Sequence, residues 1–311
     1  MAPLEQRPLG DIGPRVPVVG LGCNNFGRRL DLEGTRRVLD AALEHGVTFL
    51  DTADVYGGAG ASETLMGQAL SGRRDRYVLA TKFGMDMGDG RGPRGSRDYV
   101  VSAAEASLRR LQTDVIDLYW YHRPDGETPI SETLSALQEL ITAGKVRAIG
   151  ASNFSAEELE QADRVARELG LTRFCAVQNE YSLLVRDAEA DVLPLCERLG
   201  IGFVPYFPLA SGLLTGKYRR GQAGPAGARL SDRDEVASDR EFDQVEALQA
   251  FADARGVTLL DVAIGALLAR PVVSSVIAGA TRPEQVAANA AAGAWRPSEA
   301  DAAELHRLLP D

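Results

Sequence analysis

A chain of 311 residues with 45% apolar and 25% charged side chains has the composition of an ordinary globular protein and can bury a large core. Its formal net charge of -10 has the wrong sign for a nucleic-acid binder, and three scattered cysteines (Cys23, Cys175, Cys196) without a CxxC pair argue against a disulfide framework or a thiolate metal site. The N-terminus has no apolar core of signal-peptide length, and the most apolar region, Val257 to Ala280, is broken by Asp261 and Arg270-Pro271, so a cytoplasmic protein without a membrane partner is expected.

Between Leu9 and Val19, the turn residues Gly10-Asp11-Ile12-Gly13-Pro14 separate two short apolar runs, which predicts a hairpin that plugs or caps the main fold. Val18 to Gly22 reads as a first strand, and a strict alternation follows: helix 32–45 and strand 47–51, helix 62–70 and strand 77–82, helix 97–111 and strand 115–121. It continues with helix 130–143 and strand 146–151, helix 156–169 and strand 174–178, helix 188–199 and strand 201–206. Helix 259–269, strand 274–278 and a further helix from Pro283 complete it. Gly144 and Gly170 stand where helix C-caps belong.

Eight strands that are apolar throughout, each followed by a helix, point to an α/β fold of the (β/α)8 TIM-barrel type, with the N-terminal hairpin and an extra C-terminal helix added. Barrels of this kind form one domain of ~250 residues or more, so residues 1–311 are read as one unit. An open doubly wound sheet would want a GxGxxG after its first strand, and Gly20-Leu21-Gly22-Cys23-Asn24-Asn25-Phe26-Gly27 lacks that spacing. Two glycine-rich stretches, 84–97 and 219–240, interrupt the rhythm beyond strand C-termini, and the second is expected to shape a substrate pocket.

In a barrel the site is built at the C-terminal ends of the strands, and there the apolar runs stop in polar groups. Asp51 with Tyr56 just beyond it, Lys82, His122, Ser152-Asn153, Gln178 and Tyr206 occupy those ends. Only Lys82, Lys145 and Lys217 among 34 basic residues are lysines, which marks them in an arginine-rich chain. A buried Lys82 ammonium needs a counter-ion, which Asp51 can supply, and the cation would lower the pKa of the Tyr56 phenol towards neutrality; His122 could orient or help protonate the same oxygen. His45 and His306 fall on helices and read as surface residues.

Asp51, Tyr56, Lys82 and His122 at these positions resemble the catalytic tetrad of the aldo-keto reductase superfamily. The resemblance extends through Phe49-Leu50-Asp51-Thr52-Ala53-Asp54-Val55-Tyr56-Gly57, Gly144-Lys145-Val146-Arg147-Ala148-Ile149-Gly150-Ala151-Ser152-Asn153-Phe154, Gln178-Asn179-Glu180-Tyr181-Ser182, Leu213-Leu214-Thr215-Gly216-Lys217-Tyr218 and Gly279-Ala280-Thr281-Arg282-Pro283-Glu284-Gln285. It implies NADPH bound in extended form across the strand ends and reduction of an aldehyde or ketone, with Tyr56 as general acid, Lys82 lowering its pKa, Asp51 holding Lys82 and His122 positioning the carbonyl oxygen. By the same carry-over Ser152, Asn153 and Gln178 hold the nicotinamide carboxamide and Tyr206 stacks on its ring. Leu209, Ser211, Gly212, Leu213 and Lys217 match the pyrophosphate loop, and Gly279, Thr281, Arg282, Gln285 and Asn289 match the 2'-phosphate segment. Gly22, Cys23 and Asp51 are counted with the cofactor-binding positions, and Phe26 and Trp120 join Tyr56 and His122 as expected substrate contacts. Phe207 and Ala278 depart from the family pattern, which often has serine and proline there. Two rivals are carried: a slow-turnover, nucleotide-sensing regulatory subunit of the same fold, and a metal-dependent barrel hydrolase using Asp51, Asp54 and His122, for which the histidines are few and far apart.

Overall fold

The computed structural model describes residues 3–222, 224–225, 230 and 236–309. Strands β1 (Gln6–Pro8) and β2 (Arg15–Pro17) pair antiparallel with Arg7 opposite Val16. Among the described residues eight parallel strands follow: β3 (Val19–Gly22), β4 (Phe49–Asp51), β5 (Val78–Phe83), β6 (Ile116–Tyr121), β7 (Val146–Ser152), β8 (Ala176–Gln178), β9 (Gly202–Phe203) and β10 (Val276–Gly279). They lie side by side in chain order with β10 next to β3. Between β9 and β10 the ring is joined by Phe203 N donating to the Val272 carbonyl at 2.8 Å, Ser274 N to Phe203 at 2.9 Å and Ile277 N to Pro205 at 3.2 Å. The predicted α/β barrel is therefore the observed fold.

Helices α1 (Leu32–Glu44), α2 (Ala61–Ala69), α3 (Arg97–Leu111), α4 (Ile130–Thr142), α5 (Ala156–Leu169) and α6 (Val192–Leu199) cover the outside, within a few residues of the predicted spans. They are followed by α7 (Asp239–Asp253), α8 (Leu259–Leu268), α9 (Pro283–Ala292) and α10 (Glu299–Leu308). Helix α7 is absent from the sequence reading, which ended a loop at 240, and α10 is a second helix beyond Pro283. Both begin with a capping box, Ser238 with Glu241 and Ser298 with Asp301. The predicted strand 201–206 is formally shorter because Pro205 has no N–H to give, yet Val204 N and Tyr206 N still donate to Val177 and Asn179 at 2.9 and 3.0 Å.

Strand parity explains where the core ends and the site begins. Phe49, Ala80, Leu118, Trp120, Ala148, Ala176, Val204 and Ile277 form the apolar filling of the barrel. Two residues further along their strands, the same inward face carries Asp51, Lys82, His122, Gln178 and Tyr206. The floor is closed by the hairpin: Leu9 and Val16 are fully buried in the interior cluster, and Asp11 N donates to the Gly200 carbonyl at 2.9 Å. Gly10 sits at φ +61°, and a Cβ there would stand 2.4 Å from the Cys175 carbonyl, so the turn approaches the barrel closer than any side chain allows. No helix among the described residues is long and apolar enough to cross a membrane.

Candidate active site

At the C-terminal ends of the strands an elongated cavity of about 920 Å³ opens. One end is built around Asp51, where β4 stops. Lys82 on the neighbouring β5 is completely buried, and its ammonium donates to Asp51 Oδ2 at 2.5 Å, to the Thr52 carbonyl at 2.8 Å and to Tyr56 Oη at 3.4 Å. Gln178 Nε2 donates to the other Asp51 oxygen at 3.2 Å, so both carboxylate oxygens are engaged. Such a pair is tolerated in a dry interior because each charge meets the other and the remaining hydrogen-bonding capacity is used. The turn 52–57 returns Tyr56 over Lys82, whose nitrogen lies 4.8 Å from the ring centroid, and the His122 ring stands edge-on to it at 5.9 Å.

The electrostatics correct one expectation. Burial pushes the Tyr56 phenol up; Lys82 opposes this, but Asp51 adds to it, and the net direction is upward rather than towards neutrality. Tyr56 is thus a protonated phenol beside a cation. Burial also works against the charge on Lys82, but the Asp51 carboxylate and Tyr56 outweigh it, so the amine titrates above its ordinary range. His122 is pushed down to about 2, first by burial and then by the positive charges of Lys82 and Arg123. Its imidazole is neutral, with Nδ1 buried and unpartnered among the described residues; it can donate one N–H but has no acidic proton of its own to deliver.

Beside this cluster, Asn153 adopts a left-handed backbone (φ +57°) that turns its side chain back into the ring. Asn153 Nδ2 donates to the His122 carbonyl at 2.9 Å and to Ser152 Oγ at 3.1 Å, and Tyr206 Oη donates to Asn153 Oδ1 at 2.8 Å. Ser152, Asn153, Gln178 and Tyr206 all line the cavity. So do Gly22 at the end of β3, Leu209, Ser211, Gly212 and Lys217 of the middle loop, which follows β9, and Gly279, Thr281, Arg282, Gln285 and Asn289 from the end of β10 into α9. The middle loop has an irregular backbone with Ala210, Ser211 and Gly212 at φ 45°, 57° and 102°. There a Cβ at Gly212 would lie 3.0 Å from Lys217 Nζ, so the glycine leaves room for the ammonium. Beyond β10, Arg282 caps α9 with Pro283 at its first turn, and Thr281 N and Oγ1 donate to Gln285 Oε1 at 2.8 and 3.1 Å.

Four expected contacts do not face the cavity. Cys23 and Leu213 are buried behind it. Phe26 is fully buried in the outer cluster with Leu39 and Met66, and Trp120 is fully buried in the barrel interior, one layer below His122. The room Trp120 fills is made by Gly150, whose Cβ would stand 2.3 Å from Trp120 Cε3. In their place Val55, Met85, Arg123 and the exposed Phe207 border the end that holds Tyr56. Arg123 immediately follows His122, and adjacency to a strand-end histidine was the signal available for it. Met85 lies on the predicted 84–97 loop, and Pro225 shows the 219–240 segment reaching the cavity, although residues 223, 226–229 and 231–235 fall outside those described.

The hydrolase alternative finds no ligand set here. Among the described residues no three His, Cys, Asp or Glu side chains gather as metal ligands. Asp51 is held by Lys82 and Gln178, and Asp54 is buried away from the cavity near Glu63 and Arg110.

The family profile described as "Aldo/keto reductase family" matches residues 18–310. The chain is 38% identical over 296 residues to a "Probable voltage-gated potassium channel subunit beta" of Arabidopsis thaliana, covering 91% of this chain and 89% of the relative. It is 37% identical over 298 residues to a protein of the same description from Oryza sativa subsp. japonica, with the same coverage. It is 38% identical over 293 residues to the "Uncharacterized oxidoreductase YrpG" of Bacillus subtilis (strain 168), again covering 91% and 89%.

Proposed function

The chain belongs to the aldo/keto reductase family of oxidoreductases, and from that premise we propose that it reduces an aldehyde or ketone to the alcohol with NADPH, Tyr56 acting as general acid. The observation that carries the reading is the unbroken path from Asp51 through Lys82 to Tyr56 Oη, with the neutral His122 ring beside it. A substrate oxygen seated between Tyr56 and His122 receives the phenolic proton and accepts a hydrogen bond from one imidazole N–H, which stays on the ring. The Lys82 ammonium favours the phenolate left behind, and Asp51 holds that ammonium in place. Lys82 sits too deep to touch the substrate and acts through Tyr56.

The donors along the cavity suit a dinucleotide phosphate. Lys217 and the Ser211–Gly212 backbone suit a pyrophosphate, and Thr281, Arg282 and the N-terminus of α9 suit a 2'-phosphate. Ser152, Asn153 and Gln178 offer amide and hydroxyl partners for a carboxamide, and the Tyr206 ring offers a flat face. When bound, the reduced nicotinamide supplies the hydride for the carbonyl carbon. Phe207 provides no hydroxyl, so one cofactor contact common in the family is missing here.

A second reading, a nucleotide-sensing regulatory subunit that turns over slowly, draws on the two plant relatives named as probable channel β subunits. The complete Asp51, Tyr56, Lys82 and His122 set supports catalysis. A screen of aldehydes, ketones and keto-sugars with NADPH, followed by loss of cofactor absorbance, tests the choice: multiple turnovers on any of them support the reductase. Tight NADPH binding with no turnover beyond the first cycle supports the sensor.

A further inference from the structure

The charge at the substrate end of the cavity is unbalanced. Lys82 is neutralised by Asp51, His122 is neutral, and Arg29, which also lines the cavity, acts with Arg282 on Lys217, so these three cations belong to the part proposed for the phosphates. That leaves Arg123, next to His122, exposed and lining the cavity. Its guanidinium has no hydrogen-bond or ion-pair partner among the described residues. The carboxylate nearest in sequence, Asp125, is otherwise engaged: Oδ2 accepts from Gly95 N at 2.6 Å and Thr128 Oγ1 at 2.8 Å, and Oδ1 accepts from Glu127 N at 3.0 Å and Thr128 N at 2.8 Å. Asp125 thus shapes its own turn, and Glu180, the other carboxylate of this region, acts on Tyr206 as Arg123 does but forms no ion pair with the arginine among the described residues. The surrounding wall is apolar, formed by Val55, Met85 and Phe207.

We propose that Arg123 is a substrate-specificity residue that selects carbonyl compounds bearing an anionic group, a carboxylate or a phosphate, a short distance from the reacting carbon. The proposal rests on the carbonyl-reductase reading of the same site. With the carbonyl oxygen at Tyr56 and His122, the body of the substrate lies along Val55, Met85 and Phe207, and its anionic end meets the planar fork of Arg123. A guanidinium matches two oxygens of a carboxylate or phosphate at once, which gives direction as well as attraction. The reaction itself is unchanged: hydride goes to the carbonyl carbon and the proton to its oxygen, and the anionic group is a spectator. Water still reaches Arg123 at the rim, so its effect is expected at the lower end for charge-assisted bonds, about tenfold in discrimination.

Two matched pairs separate the sources of the charge: 4-carboxybenzaldehyde against its methyl ester, and glyceraldehyde 3-phosphate against glyceraldehyde. The kcat/KM ratio of charged to neutral partner is measured for wild type, Arg123→Gln and Arg123→Lys. Wild type should favour the charged member of at least one pair by about tenfold, Arg123→Gln should abolish that preference, and Arg123→Lys should retain part of it. Dissociation constants for benzoate and benzamide, read by tryptophan fluorescence in the presence of NADP+, provide a readout that needs no turnover. Turnover of the neutral aldehydes with no preference for charge in wild type, or a preference that survives Arg123→Gln, overturns the inference and leaves the reductase reading standing. No turnover of any aldehyde, with benzoate binding lost and benzamide binding kept in Arg123→Gln, overturns the reductase reading and retains the anion site.

Discussion

Asp54 shows how one residue of the conspicuous 47–57 stretch serves a purpose other than the one its neighbours suggest. It lies three residues after Asp51, yet it is 2% exposed, does not line the cavity, and leaves Oδ1 unpartnered among the described residues. Burial and then the charge of Glu63 push its carboxyl up to about 7, against the pull of Arg110. A carboxyl whose folded pKa exceeds the ordinary 3.8 stabilises the fold while protonated. The contribution is full below the unfolded value and is lost as pH rises through about 7. Asp54→Asn, which keeps the shape without the charge, should raise stability by about 1 to 3 kcal/mol at about pH 8 and by much less near pH 4, read from urea midpoints. Equal midpoints for the two proteins at both pH values would contradict the assignment. Asp51 is the opposite case, because its charge is matched. Asp51→Asn removes the counter-charge and leaves the buried Lys82 ammonium with neutral acceptors alone, the Thr52 carbonyl, Tyr56 and the new amide oxygen, and should cost roughly 3 to 5 kcal/mol. A wild-type midpoint would mean that the pair is not the dry one described.

At the scale of elements, what the sequence revealed is uneven for physical reasons. Strand ends were legible because a buried parallel strand is apolar until it reaches water, so Asp51, Lys82, His122 and Gln178 marked both the ends and the site. Parity told which way each residue faces but not its depth, and Trp120 was therefore placed at the cavity although Gly150 seats it one layer lower. Phe26 was misplaced because a loop residue has no parity to read, and it packs outward with Leu39 and Met66. Helices α7 and α10 carried legible capping boxes, but the glycine-rich stretch before α7 concealed its start. Helix α9 was readable from Pro283, and its N-terminus carries a further prediction. NADPH and NADH differ only in the 2'-phosphate, and Thr281 and Arg282 stand where that group is expected. Arg282→Ala should weaken NADPH binding at least roughly tenfold, as the loss of one charge-assisted bond implies, with NADH binding nearly unchanged in the same fluorescence titration. Equal losses for both cofactors would assign the discrimination elsewhere.

Across the whole molecule, the barrel interior and the site are one continuous stack. Hairpin residues Leu9 and Val16 form the floor, Phe49, Trp120 and Ile277 the filling, and Asp51, Lys82 and His122 the polar lid of that filling. A change deep in the stack should therefore be felt in stability before chemistry. Gly150→Ala places a Cβ against Trp120 and 3.0 Å from the Ala176 carbonyl, and should cost roughly 1 to 3 kcal/mol through overpacking, part of which Trp120→Leu on the same chain restores. Additive losses in the double variant would show that the two side chains do not share that space. The same stack holds Tyr56 over a cation that cannot move away, and this is the basis for assigning it the proton. The direct test is Tyr56→Phe, which keeps the ring and removes only the hydroxyl. Its turnover with an aldehyde that wild type reduces should fall by about 100- to 10,000-fold, while NADPH affinity, read by tryptophan fluorescence, stays near the wild-type value; turnover at the wild-type rate would contradict the account.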